Sequence, residues 1–404
     1  MKRALDQSRL CCSPNSRNEN LVIAGLFAGI GGFELGLSQA GHTTALLCEI
    51  DPPAREVLKA HFGQPGIDFV EDVRDVNELP VAVDVLTAGF PCQDLSSVGG
   101  KHGVRGARSS LVEEVFRILR VRPVEWVILE NVPFMLSLNA GEAIQFVTSM
   151  LSSLGYRWAY RVVDSRAFGL PQRRRRVFVV ASRHHDPRAV ILSDDAGEPN
   201  EVSIDSGQPI GFYWTEGKRS SGLTVNGIPP LKAGSTIGIP SPPAILFSDG
   251  FVGTPDIRDA ERMQGFPEDW TAPAERVAPK SVRWRLVGNA VTVNVARWLG
   301  KRLINPQQYD ASDDRPMGTL KSWPTAAWSL DGEVYVAQVS PYPQRLPQCD
   351  LPDFLLYAPK PLSPKAIRGF LSRAEQGGLR FPPGFLRSLK AFAEKAEACL
   401  TGLD

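Results

Sequence analysis

A doubly wound, mostly parallel α/β sheet followed by a smaller loop-rich domain is the architecture predicted for this 404-residue chain. Three observations predict it. Short apolar runs alternate with helical periodicities up to about residue 183, a glycine-rich turn closes the first run, and later runs end in a carboxylate or a thiol. Val22–Phe27 is the first strand, closed by Gly29-Ile30-Gly31-Gly32, and Phe33–Ala40 begins a helix. Thr44–Cys48, Val83–Ala88 and Val124–Leu129 are the next strands. Leu111–Val121 and Ala143–Leu154 carry apolar residues at helical spacing. Arg161–Val163 and Val177–Ala181 read as later strands that suit a hairpin pair.

The alternation stops after Arg183. Residues 184–253 are rich in Pro, Gly and Ser, as in Gly227-Ile228-Pro229-Pro230. A stretch of that length without periodicity belongs to a functional unit or to disorder. Regular order resumes at Asp259–Met263 and in a helix over Thr292–Leu303, so a small inserted domain is expected. Residues 1–20 are polar and read as a mobile leader. Residues 305–404 lie outside the core pattern. Their aromatics (Trp323, Trp328, Tyr335, Tyr342) and the amphipathic run Phe385–Leu400 argue that they fold, without showing a role.

Composition excludes more than it assigns. A net charge of +1 is not that of a uniformly basic nucleic-acid binder. Basic residues instead cluster at Arg157, Arg161, Arg166, Arg173, Arg174, Arg175, Arg176, Arg183 and Arg188, which a local positive face for phosphates would need. The six cysteines show no Cys-x-x-Cys pair and no histidine at metal spacing, so neither zinc nor a disulfide framework is expected. The apolar run Leu21–Ile30 is too short to cross a bilayer and runs directly into the glycines. A cytoplasmic protein is the expectation.

Chemistry-bearing residues gather at the predicted strand ends. The glycine turn frees backbone amides to approach a ligand. Glu49, in Cys48-Glu49-Ile50-Asp51, closes the second strand, where a carboxylate can accept from ribose hydroxyls. Asp72 follows the next segment and could accept from an amino group. Cys92, in Ala88-Gly89-Phe90-Pro91-Cys92-Gln93, follows a buried strand, and Pro91 stiffens the loop that presents it. Glu130-Asn131-Val132 ends another strand, and Gln172-Arg173-Arg174-Arg175-Arg176 precedes one, so that Arg174 and Arg176 share a side.

In this order the Phe-Pro-Cys-Gln, Glu-Asn-Val, Gln-x-Arg-x-Arg, Gln-Gly-Phe-Pro (Gln264–Pro267) and Gly-Asn (Gly288-Asn289) motifs resemble those of the cytosine-C5 DNA methyltransferases, from about Leu21 to Leu299. The resemblance implies an S-adenosylmethionine-dependent methyltransferase fold. It implies a catalytic and cofactor-binding domain over 21–183, a target recognition domain over 184–253 and a return segment over 254–304. The implied cofactor is S-adenosylmethionine, bound by Phe27, Gly29, Gly31, Glu49, Ile50, Asp72, Val73, Pro91, Leu111 and Asn289. Cys92 would add to C6 of cytosine, Glu130 would serve N3, Arg176 would meet O2, and Arg174 would stand in the site or at a nearby phosphate. Gln93, Ser96, Ser97, Lys101 and Arg108 would contact DNA from a glycine-rich lid closing over a flipped base. Val98 departs from the family, where a second serine often stands. The implied partner is double-stranded DNA, with no membrane and no metal, and the chain is expected to be a monomer. The implied activity is methylation of C5 within a specific short sequence, as protection against a cognate restriction enzyme. An RNA methylase on the same fold and a non-catalytic binding paralogue are the alternatives. The first lacks its Cys-Phe-Thr signature here, and the second would have lost the thiol or the acid.

Overall fold

The computed structural model describes residues 20–91, 111–200, 207–218, 220–234, 242–318 and 322–401. Cys92, Gln93, Ser96, Ser97, Lys101 and Arg108 lie outside the described residues, as does the expected leader up to residue 19.

The first apolar run forms β1 (Val22–Leu26), and the glycine turn opens α1 (Gly32–Ser38). There follow β2 (Thr43–Cys48), α2 (Pro52–Phe62), β3 (Asp68–Val70), β4 (Val85–Gly89), α3 (Leu111–Val121), β5 (Trp126–Asn131), α4 (Glu142–Ser153), β6 (Arg157–Asp164), β7 (Arg175–Ser182) and the single turn α5 (Arg188–Ile191). Strands β3-β2-β1-β4-β5 pair in parallel, and β7 runs antiparallel between β5 and β6. The expected hairpin partners are therefore neighbours, in longer strands than the apolar pattern marked. Three of these elements, α2, β3 and α5, had no sequence signal. Helix α2 begins at Pro52-Pro53, where the missing N–H groups are not needed, and β3 is three residues with little burial.

Helices cover both faces. Val112, Phe116 and Leu119 of α3 and Ile144, Val147 and Leu151 of α4 fill one side with Leu86 and Val127. Phe33 and Leu37 of α1 fill the other with Val295, Trp298 and Leu299. The latter three belong to α8 (Val293–Ile304) of the return segment, which also holds α6 (Ile257–Met263) and α7 (Val282–Asn289). Helices α1 and α8 cross so closely that a Cβ on Gly36 would lie 2.5 Å from the Val293 carbonyl oxygen.

The smaller domain is a five-stranded sheet rather than bare loops. Strands β8 (Ile210–Phe212), β9 (Thr224–Val225), β10 (Ala244–Leu246) and β11 (Val252–Thr254) come from the Pro-rich interval and its border, with β10 central. Each strand is two or three residues long, too short to show period-two alternation.

The last hundred residues are woven into both sheets. Strands β12 (Arg315–Pro316), β13 (Ala326–Ser329) and β14 (Tyr335–Val336) extend the main sheet to ten strands, with β13 antiparallel to β6 through Ala327 and Tyr160. Trp323 lies 6.2 Å from the ring of Trp158. After the short α9 (Leu351–Phe354), β15 (Lys360–Pro361) joins the small sheet against β11. Helices α10 (Pro364–Gly377) and α11 (Phe385–Thr401) then pack Ile367, Phe370, Phe385 and Leu389 on Ile210, Phe212, Leu246 and Val252. The segment is thus structural in both domains, not an appendage beyond the core. Among the described residues no helix is long and apolar enough to cross a membrane.

Deleting residues 310–404 is therefore expected to yield insoluble or unfolded protein. Phe370→Ala alone, at a fully buried ring, should cost about 3–5 kcal/mol. Chemical denaturation checks both. A truncated chain that melts cooperatively near the parent's midpoint would contradict this account.

Candidate functional site

A cavity of about 360 Å³ opens at the carboxyl ends of the parallel strands, where an open α/β sheet places its ligands. Its floor begins with the glycine turn. Phe27 and Gly29 hold left-handed backbone (φ 54° and 58°), and Gly29 faces open space where a side chain would stand. Gly31 is off the wall. Its φ of 84° explains the glycine there, as does the Phe62 ring, which a Cβ on Gly31 would approach to 2.5 Å. Glu49 braces the turn. Its Oε2 accepts from the Gly29 N–H at 2.7 Å and its Oε1 from the Asp51 N–H at 2.8 Å. Burial nevertheless raises its pKa against those two donors.

Apolar surface lines the same end. Ile50, Val73, Leu111 and Phe27 all border the cavity, and Ile50 is 60% exposed, an uncovered aliphatic beside a polar floor. Asp72 caps the short turn Val73–Asp75 and holds the Arg74 guanidinium, accepting from its Nε at 2.9 Å. Hydrogen bonds from Arg74 pull the Asp72 carboxyl down to about 2. Asn289, at the end of α7, closes the wall with Gly288. A Cβ on Gly288 would meet Lys232 backbone at 2.2 Å, so the Gly-Asn pair is a close chain crossing as well as a turn. Arg285, which carried no sequence signal, joins the rim through an ion pair to Asp51 at 3.0 Å.

The other end holds the charged cluster. Glu130 pairs in register with Gly89 of β4, and its Oε1 lies 3.1 Å from Arg176 Nε. Burial raises the Glu130 pKa, while the Arg176 and Arg174 charges oppose the rise. Arg174 and Arg176 share the cavity side, as strand alternation predicts. Arg174 is fully buried and donates to the carbonyls of Leu231 (2.9 Å), Gly288 (3.1 Å) and Ala290 (2.8 Å). That makes it a strut of the site. Pro91 borders the cavity as the last described residue before Cys92. Asn131 escaped the sequence reading although it stands inside the Glu-Asn-Val motif. Its Nδ2 donates to the Phe90 carbonyl at 3.0 Å and its Oδ1 accepts from the Val132 N–H, so β5 holds the chain just ahead of Pro91.

The expected positive face needs correction. Of the nine clustered arginines, Arg161 is buried on Asp195, Arg166 and Arg175 share Asp164, Arg175 also meets Glu198, Arg176 meets Glu130, Arg188 meets Asp186, and Arg174 is spent on carbonyls. Carboxylates and carbonyls, some two residues away (Asp164 for Arg166, Asp186 for Arg188) and others distant in sequence, neutralise or bury most of the cluster.

Beneath the glycine turn lies a polar group the sequence did not flag. Glu34 of α1 is 1% exposed, and its carboxylate occupies the room left by Gly25, whose Cβ would sit 2.0 Å from Oε1. Neither oxygen has a hydrogen-bond partner among the described residues, nor has the hydroxyl of Thr87, which lies opposite Gly25 in the β1–β4 register.

A cavity at this edge of a sheet covered on both faces is that of a doubly wound α/β protein that holds its ligand at the carboxyl ends of its strands. The crystal structure of S. pombe Dnmt2 methyltransferase is similar in fold, with a TM-score of 0.51 at 16% identity over 71% of this chain and 99% of that one. A family model for C-5 cytosine-specific DNA methylases matches residues 21–206 and 256–305. The Type II methyltransferase M2.BsuMI of Bacillus subtilis (strain 168) is 46% identical over 384 residues, covering 92% of this chain and 97% of its own. The Type II methyltransferase M.BsuFI of Bacillus subtilis is 30% identical over 297 residues, covering 69% and 71%. The chain belongs to the C-5 cytosine-specific DNA methylase family and is a sequence-specific DNA cytosine-5 methyltransferase.

Glu34 supplies a prediction. Burial, with the nearby Glu49 charge, raises its carboxyl from 4.5 to about 7. A raised carboxyl pKa means the folded state holds the proton more tightly, so stability falls as pH rises from about 4.5 to 7. The loss, on the order of 3 kcal/mol, is complete above 7. Glu34→Gln should therefore stabilise the protein at pH 8 relative to its effect at pH 5, read from paired thermal melts. An equal shift in midpoint at both pH values would mean that Glu34 does not titrate in this window.

Proposed function

We propose that this enzyme uses S-adenosylmethionine to methylate a cytosine held out of duplex DNA at the described cavity, with Cys92 as nucleophile and Glu130 as the acid serving N3. The observation that carries the reading is the register of β4 with β5. It sets Glu130 beside Gly89, three residues before Cys92, with the Arg176 guanidinium against the same carboxylate. The residues present fit the cofactor: open space at Gly29, a carboxylate at Glu49, and the uncovered Ile50 beside Val73 and Leu111 suit an adenosine with its ribose. When bound, S-adenosylmethionine supplies an electrophilic methyl group from its sulfonium.

C5 of cytosine is a poor nucleophile until a group adds at C6. The Cys92 thiolate forms that bond, and the ring electrons move toward N3 and O2. A Glu130 carboxyl raised by burial gives a proton or hydrogen bond at N3, and Arg176 holds the carboxylate and faces O2. C5, made nucleophilic, would then take the methyl group as the S–CH3 bond of the sulfonium breaks to leave a neutral thioether. Loss of the C5 proton to water re-forms the C5–C6 double bond and expels the thiolate. Asn131 steadies the chain ahead of the nucleophile by holding the Phe90 carbonyl. Gln93, Ser96, Ser97, Lys101 and Arg108 would contact DNA around the flipped base. The biological setting we infer is cytoplasmic host protection: a monomer marking double-stranded DNA against a cognate restriction enzyme.

Cys92→Ala should abolish methyl transfer while leaving cofactor binding within a few-fold, and Glu130→Gln should lower the rate by about 10²–10⁴-fold with little change in DNA affinity. Retained turnover in the first variant would move the chemistry to another residue. A duplex with 5-fluorocytosine at the target cannot lose the C5 substituent as a cation. With S-adenosylmethionine it should give a covalent adduct stable to denaturing electrophoresis and mapping to Cys92. An active preparation that traps nothing would rule out thiolate addition at C6.

A further inference from the structure

The clustered arginines are mostly spent inside the protein, so the phosphates of a duplex must meet positive charge elsewhere. The surplus lies at the carboxyl-terminal end of the chain. Residues 360–401 carry eight Lys or Arg and three Asp or Glu, a balance of +5, which leaves −4 for all other residues of a chain whose total is +1. These residues form β15 and the α10–α11 hairpin on the small sheet.

Within the hairpin the charge is uneven. The half at the α10–α11 loop, residues 371–393, holds Arg373, Arg380, Arg387 and Lys390 against the single Glu375. The far half carries the ion pair of Arg368 with Glu397. Arg380 and Arg387 are exposed and make no hydrogen bond or ion pair with any described residue. Phe385 and Leu389 of α11 face the core, which leaves Arg387 on the outer face of its first turn.

The loop half is tied to the site. Arg373 donates to the Trp214 carbonyl at 2.7 Å and the Glu216 carbonyl at 3.0 Å. Gly377 packs on the Lys218 backbone, 2.5 Å from where its Cβ would lie. Lys218 is exposed and has no partner among the described residues. The same turn begins at Tyr213, whose hydroxyl donates to the Pro230 carbonyl at 2.6 Å, and the next carbonyl, of Leu231, is the one Arg174 holds. One short strap therefore runs from the cavity wall to the loop end of the hairpin.

We propose that Lys218, Arg380 and Arg387 form a phosphate-contacting surface that grips the DNA backbone beside the recognised sequence, making the carboxyl-terminal hairpin part of the DNA interface. The proposal rests on duplex DNA being the substrate and commits to its backbone, because uncompensated cations on a rigid hairpin neutralise phosphates without reading bases.

The test uses the full-length protein with Lys218→Ser, Arg380→Ser and Arg387→Ser combined. It is bound to a duplex of about 40 base pairs and arbitrary sequence, long enough to extend past any one site. Binding is titrated between about 50 and 200 mM salt, where each phosphate contact contributes about −0.9 to the slope of log affinity against log salt. The slope should become shallower by about 2–3, and affinity at the low-salt end should fall by roughly 10–100-fold. The turnover rate on saturating substrate DNA should stay at the parent value while the KM for DNA rises. Unchanged slope and affinity would overturn the proposal, as would a loss of turnover with a lowered melting midpoint, which would make the hairpin a scaffold only. If the triple variant does not fold, Arg380→Ser alone should lower the slope by about one contact, and an unaltered slope there would overturn it equally. Methylation by the parent protein, measured alongside, tests the enzymatic reading separately.

Discussion

The buried guanidinium of Arg174 is the interaction on which the arrangement of the site depends. Three carbonyls converge on it, one from Leu231 between β9 and β10 of the small domain and two from Gly288 and Ala290 at the carboxyl end of α7. An unpaired carbonyl or an unpaired cation in that volume would be costly, so the segments are held together or not at all. The same crossing brings Lys232 backbone against Gly288 and Val291 against Gly32, which closes the cavity wall beside Asn289. Glu130 and Arg176 then face each other across space whose shape Arg174 has set.

Neighbouring clamps repeat this logic without using charge in the reaction. Gln172 is fully buried, donating to the Met263 carbonyl and accepting from the Leu231 N–H. Gln264, in the Gln-Gly-Phe-Pro motif, donates to the Val287 carbonyl and accepts from the Thr292 hydroxyl, in keeping with a scaffold role for that motif. Glu261 gathers Thr271 and Arg283 in the same layer. The polar motif residues of this protein divide between those that border the cavity, such as Glu130 and Asn289, and those that bind backbone behind it, such as Gln172 and Gln264.

The carboxyl-terminal hundred residues show why a family pattern does not mark the limit of a fold. The family model ends at residue 305, yet β13 covers the open edge of β6 and α10–α11 cover the small sheet. An uncovered sheet edge or apolar face of that kind is a liability in water. The match to M2.BsuMI covers 92% of this chain and so takes in most of this region, whereas that to M.BsuFI covers 69%.

Local chemistry wrote much of this protein into its sequence. The apolar runs of β1, β2, β4 and β5, the glycine turn, Glu49, Glu130 and the alternation of Arg174 with Arg176 were all legible, because strand burial, left-handed backbone and side-chain alternation act over a few residues. Tertiary structure alone decided the rest. The small sheet escaped notice because strands of two or three residues carry no period. The arginine cluster read as a free positive face because partners such as Asp195 for Arg161, Glu198 for Arg175 and the carbonyls around Arg174 are brought to it only by folding. Asn131, Glu34 and the strap from Tyr213 to Arg373 stayed silent for the same reason. Each derives its meaning from a group that is distant in sequence and adjacent in space.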